Sequence, residues 1–190
     1  MARKKMITRN QILDAAYEVV ASGGFSRFTA RNIAAQMNCS TQPIYLEFQN
    51  MEDLKEALID QILDHLATDI FPVKHTGHTV IDLALNYIGF ATSNRRLYRA
   101  LYLEEYGGGE KIQSFSYDYF SNAVKEEEQY QNLSAEMIES LHTGTWIIAT
   151  GIASLQSSGI IHPSEDQIKL MIQESIDSIL NQENIVQLSY

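Results

Sequence analysis

The stretch TARNIAAQMNCSTQPIYLEF, residues 29–48, decides how the chain folds. Ala30, Ile33, Ala34 and Met37 recur at i, i+3, i+4 and i+7, which lays an apolar face along a short helix, and Thr29 stands before it as an N-cap. Asn38 falls where a chain leaving a helix needs a left-handed residue, a conformation its short polar side chain tolerates. Ser40 is a second N-cap, followed by Thr41, Gln42 and Pro43; proline does no harm in a first turn, whose amides have no intrahelical partner. The spacing predicts a second helix from Ser40 or Thr41, so that the pair reads as a helix-turn-helix over about residues 29–48. That second helix opens with Ser, Thr, Gln and Pro, small polar groups suited to reading base edges in a DNA groove.

On these residues the chain resembles the TetR family of transcriptional repressors, whose recognition helix follows G-V-S-x-x-x-L-Y-x-[HY]-F. Here the run is N-C-S-T-Q-P-I-Y-L-E-F: Ser40, Ile44, Tyr45 and Phe48 match, as does Thr29-x-Arg31-x-Ile33-Ala34 for the preceding helix. Asn38 replaces Gly, Cys39 replaces Val, and Glu47 replaces His or Tyr; only Glu47 bears on DNA, since phosphates repel a carboxylate unless it faces a cytosine amine. The resemblance implies an all-α homodimer with an N-terminal three-helix DNA-binding domain over residues 1–50. A C-terminal helical ligand-binding and dimerisation domain over residues 51–190 would complete it. It implies palindromic double-stranded operator DNA and a small-molecule effector as partners, with DNA contacts from Thr29, Arg31, Ser40, Thr41, Gln42, Pro43 and Tyr45. Gln42 has the groups to pair bidentately with adenine; the hydroxyls of Thr29, Ser40 and Tyr45 suit phosphate, and Arg31 suits phosphate or guanine.

The net charge of −10 over 190 residues speaks, taken whole, against nucleic acid. Its distribution reverses that. Residues 1–50 carry six basic and three acidic side chains, a net +3, whereas residues 51–190 carry eight basic and 21 acidic, a net −13. A basic head on an acidic body is drawn to a phosphate backbone by one end only. Arg3, Lys4, Lys5, Arg9, Arg27 and Arg31 are the expected source of counterion release. The single cysteine, Cys39, cannot form an internal disulfide, the basic start is followed by no apolar signal segment, and no run is long enough to span a membrane. A cytoplasmic protein is expected.

The remaining pattern is helical. Ile12, Ala15, Ala16, Val19 and Val20 share a face of a helix over about residues 8–22 that Gly23-Gly24 closes, and Asn50 caps a long helix running to Phe71-Pro72 that links head to body. Further helices are predicted over about residues 80–92, 95–104, 111–128 and 135–157, with a last one opening at Pro163-Ser164. Its apolar and small residues cover more than half the circumference, which calls for two packing partners. In the resembling family the last two helices pair with their copies in a second subunit, and Ile152 and Ile176 are expected at that contact or in the adjoining core. No stretch alternates as a strand does.

Residues 81–120 hold nine of the chain's 18 aromatic side chains, most of them tyrosines, whose hydroxyls need partners when buried. With His142 and Trp146 on the next helix, Tyr87, Tyr98, Tyr102, Phe115 and Tyr119 become candidates for a ligand pocket. Glu139-x-x-His142 is half of a helical di-iron motif whose second half is missing. His65, His75 and His78, near Asp64 and Asp69, lack regular metal-ligand spacing, and Gly107-Gly108-Gly109 lacks the strand and the Lys-Ser/Thr of a phosphate loop. The reading is a ligand-released repressor that is not an enzyme and needs no cofactor or metal. Its first competitor is a helical sensor without specific DNA binding, favoured by Glu47 and by Gln49 and Met51, where the family often carries lysine. An all-α metal-dependent enzyme is the least favoured.

Overall fold

The computed structural model describes residues 7–104 and 107–182, and every regular element among them is helical. The α-helices in chain order are α1 (Arg9–Gly23), α2 (Ala30–Gln36), α3 (Gln42–Glu47), α4 (Met51–His65), α5 (Thr79–Ser93), α6 (Arg95–Tyr102), α7 (Gly109–Val124), α8 (Ala135–Ser157) and α9 (Glu165–Leu180). Contacts divide the chain into two compact units, residues 1–64 with 96–109 and residues 65–95 with 110–190.

In the first unit the local signals are met side chain by side chain. Thr8 Oγ1 accepts from the Gln11 amide at 3.3 Å while Gln11 Oε1 accepts from the Thr8 amide at 3.1 Å, a reciprocal cap that starts α1. Gly24, at φ 73°, ends it, and a 3-10 turn over Phe25–Arg27 brings Phe25 and Phe28 edge to face. Asn50 Oδ1 accepts from the Asp53 amide at 2.9 Å and caps the start of α4, while Asp53 Oδ2 accepts from the Gln49 amide at 2.8 Å, one residue before the cap. The unit runs further along the chain than a boundary at residue 50 because α4 and α6 share its core. Lys55 of α4 stands over the Phe25 ring, Arg96 of α6 donates to the Ser22 carbonyl at 2.6 Å, and Leu54, Leu58, Leu97 and Tyr98 are buried.

In the second unit α5 packs against both α8 and α9, and α8 against α9. Ile168, Ile172 and Ile176 form one buried stripe along α9, and the end of the Ile179 side chain occupies the space that a Cβ at Gly144 of α8 would take. The chain enters this unit through a π-helical turn, Leu66–Ile70, in which the Phe71 amide donates to the Leu66 carbonyl at 2.8 Å. The connection from there to α5 is pinned by two buried polar residues of α5. Asn86 Nδ2 donates to the carbonyls of Phe71 and Val73, and its Oδ1 lies 2.7 Å from His75 Nε2. Asp82 accepts from the Thr76 amide and hydroxyl and from the Gly77 amide; burial would raise its pKa, but the donors of Thr76, His75 and Gly77 outweigh it and hold it below the ordinary value.

Three element ends differ from the spacing. The α-helical part of the fourth helix stops at His65, where the π turn takes over. The seventh helix stops at Val124, short of residue 128, because the chain turns through Glu128–Tyr130 to bury Tyr130. The third helix begins at Gln42, with Thr41 making no side-chain cap.

Candidate DNA-binding surface and ligand cavity

The helix-turn-helix forms as its residues require. Thr29 Oγ1 accepts from the Asn32 amide at 3.2 Å, leaving its own proton free to donate outward, and Ala30, Ile33 and Ala34 face the core. Asn38 takes φ 52°, the one positive value at a non-glycine among the described residues. Ile44 and Phe48 anchor α3, the latter 2% exposed, which leaves Ser40, Thr41 and Gln42 exposed, Pro43 half-exposed and Tyr45 54% exposed. Arg31 is exposed on α2. Arg9 is otherwise engaged: its guanidinium lies 4.1 Å from the centre of the Phe48 ring and donates to the Glu47 carbonyl at 3.1 Å, clamping the end of α3. Sequence reading passed over Leu46, which is 75% exposed and shares the face of Gln42 and Pro43 by its i+4 and i+3 spacing. Arg3, Lys4 and Lys5 lie outside the described residues.

The second unit holds a cavity of about 60 Å³. Phe71, Leu83, Tyr87, Tyr119, Phe120 and Trp146 supply its larger walls, with Val80, Ala84 and Ala149 beside them; Ser116, His142 and Thr145 are its other polar members. A larger hollow of about 440 Å³ shares Phe71, Leu83 and Tyr119 with it and carries Lys74, Asn122 and Glu126. His142 is 4% exposed, and burial pushes its pKa down to about 4, so the ring is neutral at pH 7. Its Nε2 lies 2.9 Å from Ser116 Oγ, and it stacks on Trp146 at 5.6 Å with 20° between the planes. Tyr87 OH meets Thr150 Oγ1 at 3.1 Å, and Thr145 donates to the Leu141 carbonyl. The Trp146 indole N–H is buried with no hydrogen-bond partner.

Of the aromatic candidates, Tyr87, Tyr119, His142 and Trp146 line this cavity. Phe115 does not, but it packs against two rings that do, 6.3 Å from Phe71 and 6.1 Å from Tyr119. Tyr98 and Tyr102 are not among the lining residues; they stack on each other at 5.3 Å in α6, in the first unit. Phe71 is the wall that sequence reading missed, since it sits where a helix was expected to end. The three histidines weighed for metal go to separate partners: His65 to Asp69, His75 to Asn86, and His78 to Gln129 and Tyr130.

Residues 12–58 match the family model for bacterial regulatory proteins of the tetR family. Among solved structures, a TetR family protein from Vibrio parahaemolyticus is 21% identical with a TM-score of 0.64, covering 90% of this chain and 97% of its own. FadR, the fatty acid degradation regulator of Bacillus halodurans, is 16% identical at TM-score 0.60, covering 97% and 100%. SmeT, the repressor of the Stenotrophomonas maltophilia multidrug efflux pump SmeDEF, is 16% identical at 0.59, covering 95% and 94%. At such identities the likeness is one of fold. No curated protein matches the chain. The match to the tetR family model thus lies in residues 12–58, and over nearly its whole length the chain shares the all-α fold of these solved regulators.

Proposed function

We propose that the protein is a homodimeric repressor that holds a palindromic operator until a small molecule fills the cavity of the second unit. The observation that carries this is the outward face of α3, where Gln42 and Leu46 stand exposed and Pro43 half-exposed on a helix fixed from behind by Ile44 and Phe48. In this reading Gln42 pairs with adenine, Leu46 meets a thymine methyl, Arg31 takes a phosphate or guanine, and the hydroxyls of Thr29, Ser40 and Tyr45 take phosphates, with Thr41 and Pro43 against base edges. Two copies must stand about one helical turn apart, roughly 34–36 Å, to read both half-sites. The pairing surface is carried by the outer faces of α8 and α9, where Ile147, Leu155, Leu170 and Met171 are exposed. Ligand binding moves Phe71, one π turn beyond the end of α4, and so favours a spacing of the two heads that the operator does not accept. No described helix is long and apolar enough to cross a membrane, which agrees with action on cytoplasmic DNA.

The test is a mobility shift on the DNA upstream of the protein's own gene. A specific complex is expected, with Gln42→Ala costing about 1–3 kcal/mol and relaxing preference at one base pair, and Tyr45→Phe weakening all sequences alike. Binding that ignores sequence would favour the competing sensor reading, which the exposed Glu47 and the engagement of Arg9 by Phe48 support.

A further inference from the structure

The proposed effector site also restricts the chemistry of its ligand. No Asp, Glu, Lys or Arg lines the inner cavity, and His142 beside it is neutral, so a charge carried inward would lose its hydration with nothing to replace it. The lining hydroxyls of Tyr87, Ser116 and Thr145 each have a partner within the protein. Trp146 differs from them. Its indole N–H can only donate, and it is buried without an acceptor, so its desolvation is not offset as long as that arrangement persists.

We propose that the inner cavity takes the uncharged, acceptor-bearing end of an apolar molecule, a ketone, aldehyde, ester or amide oxygen that accepts from the Trp146 indole N–H. This rests on the reading of the cavity as the effector site. The size of the cavity divides the ligand in two. At about 60 Å³ it is well below the roughly 150 Å³ in which an apolar protein cavity holds benzene, so only a few heavy atoms enter. The remainder lies in the adjoining hollow of about 440 Å³, past the shared walls of Phe71, Leu83 and Tyr119. The polar rim there, with Lys74, Asn122 and Glu126, accepts a polar outer end. A hydrophobic cation, which the acidic composition of residues 51–190 favours at first sight, fits the inner end poorly: it offers Trp146 no acceptor and finds no carboxylate in the wall.

Trp146 is the only tryptophan, so its fluorescence and its single indole N–H proton resonance report the site without ambiguity. The experiment titrates the full-length protein with acetophenone, with α-methylstyrene, which replaces the carbonyl oxygen by a CH₂ group, and with benzyltrimethylammonium. Acetophenone is expected to bind at least about tenfold more tightly than α-methylstyrene and to move the indole N–H resonance downfield, a shift the hydrocarbon does not produce. In Trp146→Phe, followed by thermal stabilisation, the two probes are expected to bind equally. Equal binding of the two probes to the unaltered protein, or tightest binding by the cation, overturns the proposed ligand class and leaves the effector cavity standing. Failure of all three to perturb Trp146 overturns the cavity as well. Ketone preference without release of operator DNA upholds the ligand class and overturns only the switch.

Discussion

Single residues set the geometry of the reading head, and their effects separate cleanly. Asn38 alone turns the chain between α2 and α3, at φ 52°; Asn38→Ala is expected to cost about 1–2 kcal/mol in urea unfolding, whereas Asn38→Gly should be neutral or better. Equal costs would mean that the side chain, not the backbone, is what the turn needs. Arg9 acts differently from the other basic residues of the head. Because it stacks on Phe48 and holds the Glu47 carbonyl, Arg9→Ala should destabilise the protein by roughly 1 kcal/mol and lower affinity for every DNA sequence by the same factor, through the orientation of α3. If affinity fell with no change in stability and with a flatter salt dependence, Arg9 would be a phosphate contact after all.

At the level of elements, α9 carries opposite predictions on its two faces. Ile172 and Ile176 are buried within one chain, while Leu170 and Met171 are exposed, Leu170 at 59%. Ile176→Lys should therefore prevent folding, since it buries an unpaired charge, and Leu170→Lys with Met171→Lys should give a folded monomer in sedimentation. A dimer that survived the double variant would place the contact elsewhere. This division also marks how far the sequence could be read. Caps and stops such as Thr29, Asn38 and Asn50 act on their own neighbours, so local pattern is enough to find them. The aromatic cluster is a different case: Tyr87 and Tyr119 reach the cavity, but Tyr98 and Tyr102, close to them in sequence, belong to the other unit. Nearness along the chain does not record which core α6 joins. The pattern of the fourth helix runs on smoothly past His65, and nothing in it announces the π turn that delivers Phe71.

For the molecule as a whole, acidity is the simplest perturbation. The unfolded chain protonates His142 near pH 6.5 and the folded one only near pH 4, so the unfolded state holds more protons in that window. The contribution to stability is complete above about pH 6.5 and is lost as pH falls towards about 4, amounting to at most ~3 kcal/mol. His142→Gln should flatten the stability curve across that window while leaving the loss at lower pH that comes from carboxylates such as Asp82 and Glu127, whose donors hold their pKa values down. An unchanged curve would show that His142 is not the group that titrates. The π turn of residues 66–70 has a consequence of another kind, for the lengths this chain tolerates. Its residues other than Leu66 are partly or wholly exposed, so by burial alone they look free to vary in number. Yet loss of one of them, Thr68 for instance, would tighten the π turn into an α turn and rotate Phe71 about the helix axis by about 100°. Its ring would then swing out of the cavity wall. Related chains that share this pocket should therefore vary freely in the identity of these residues but hardly at all in their count.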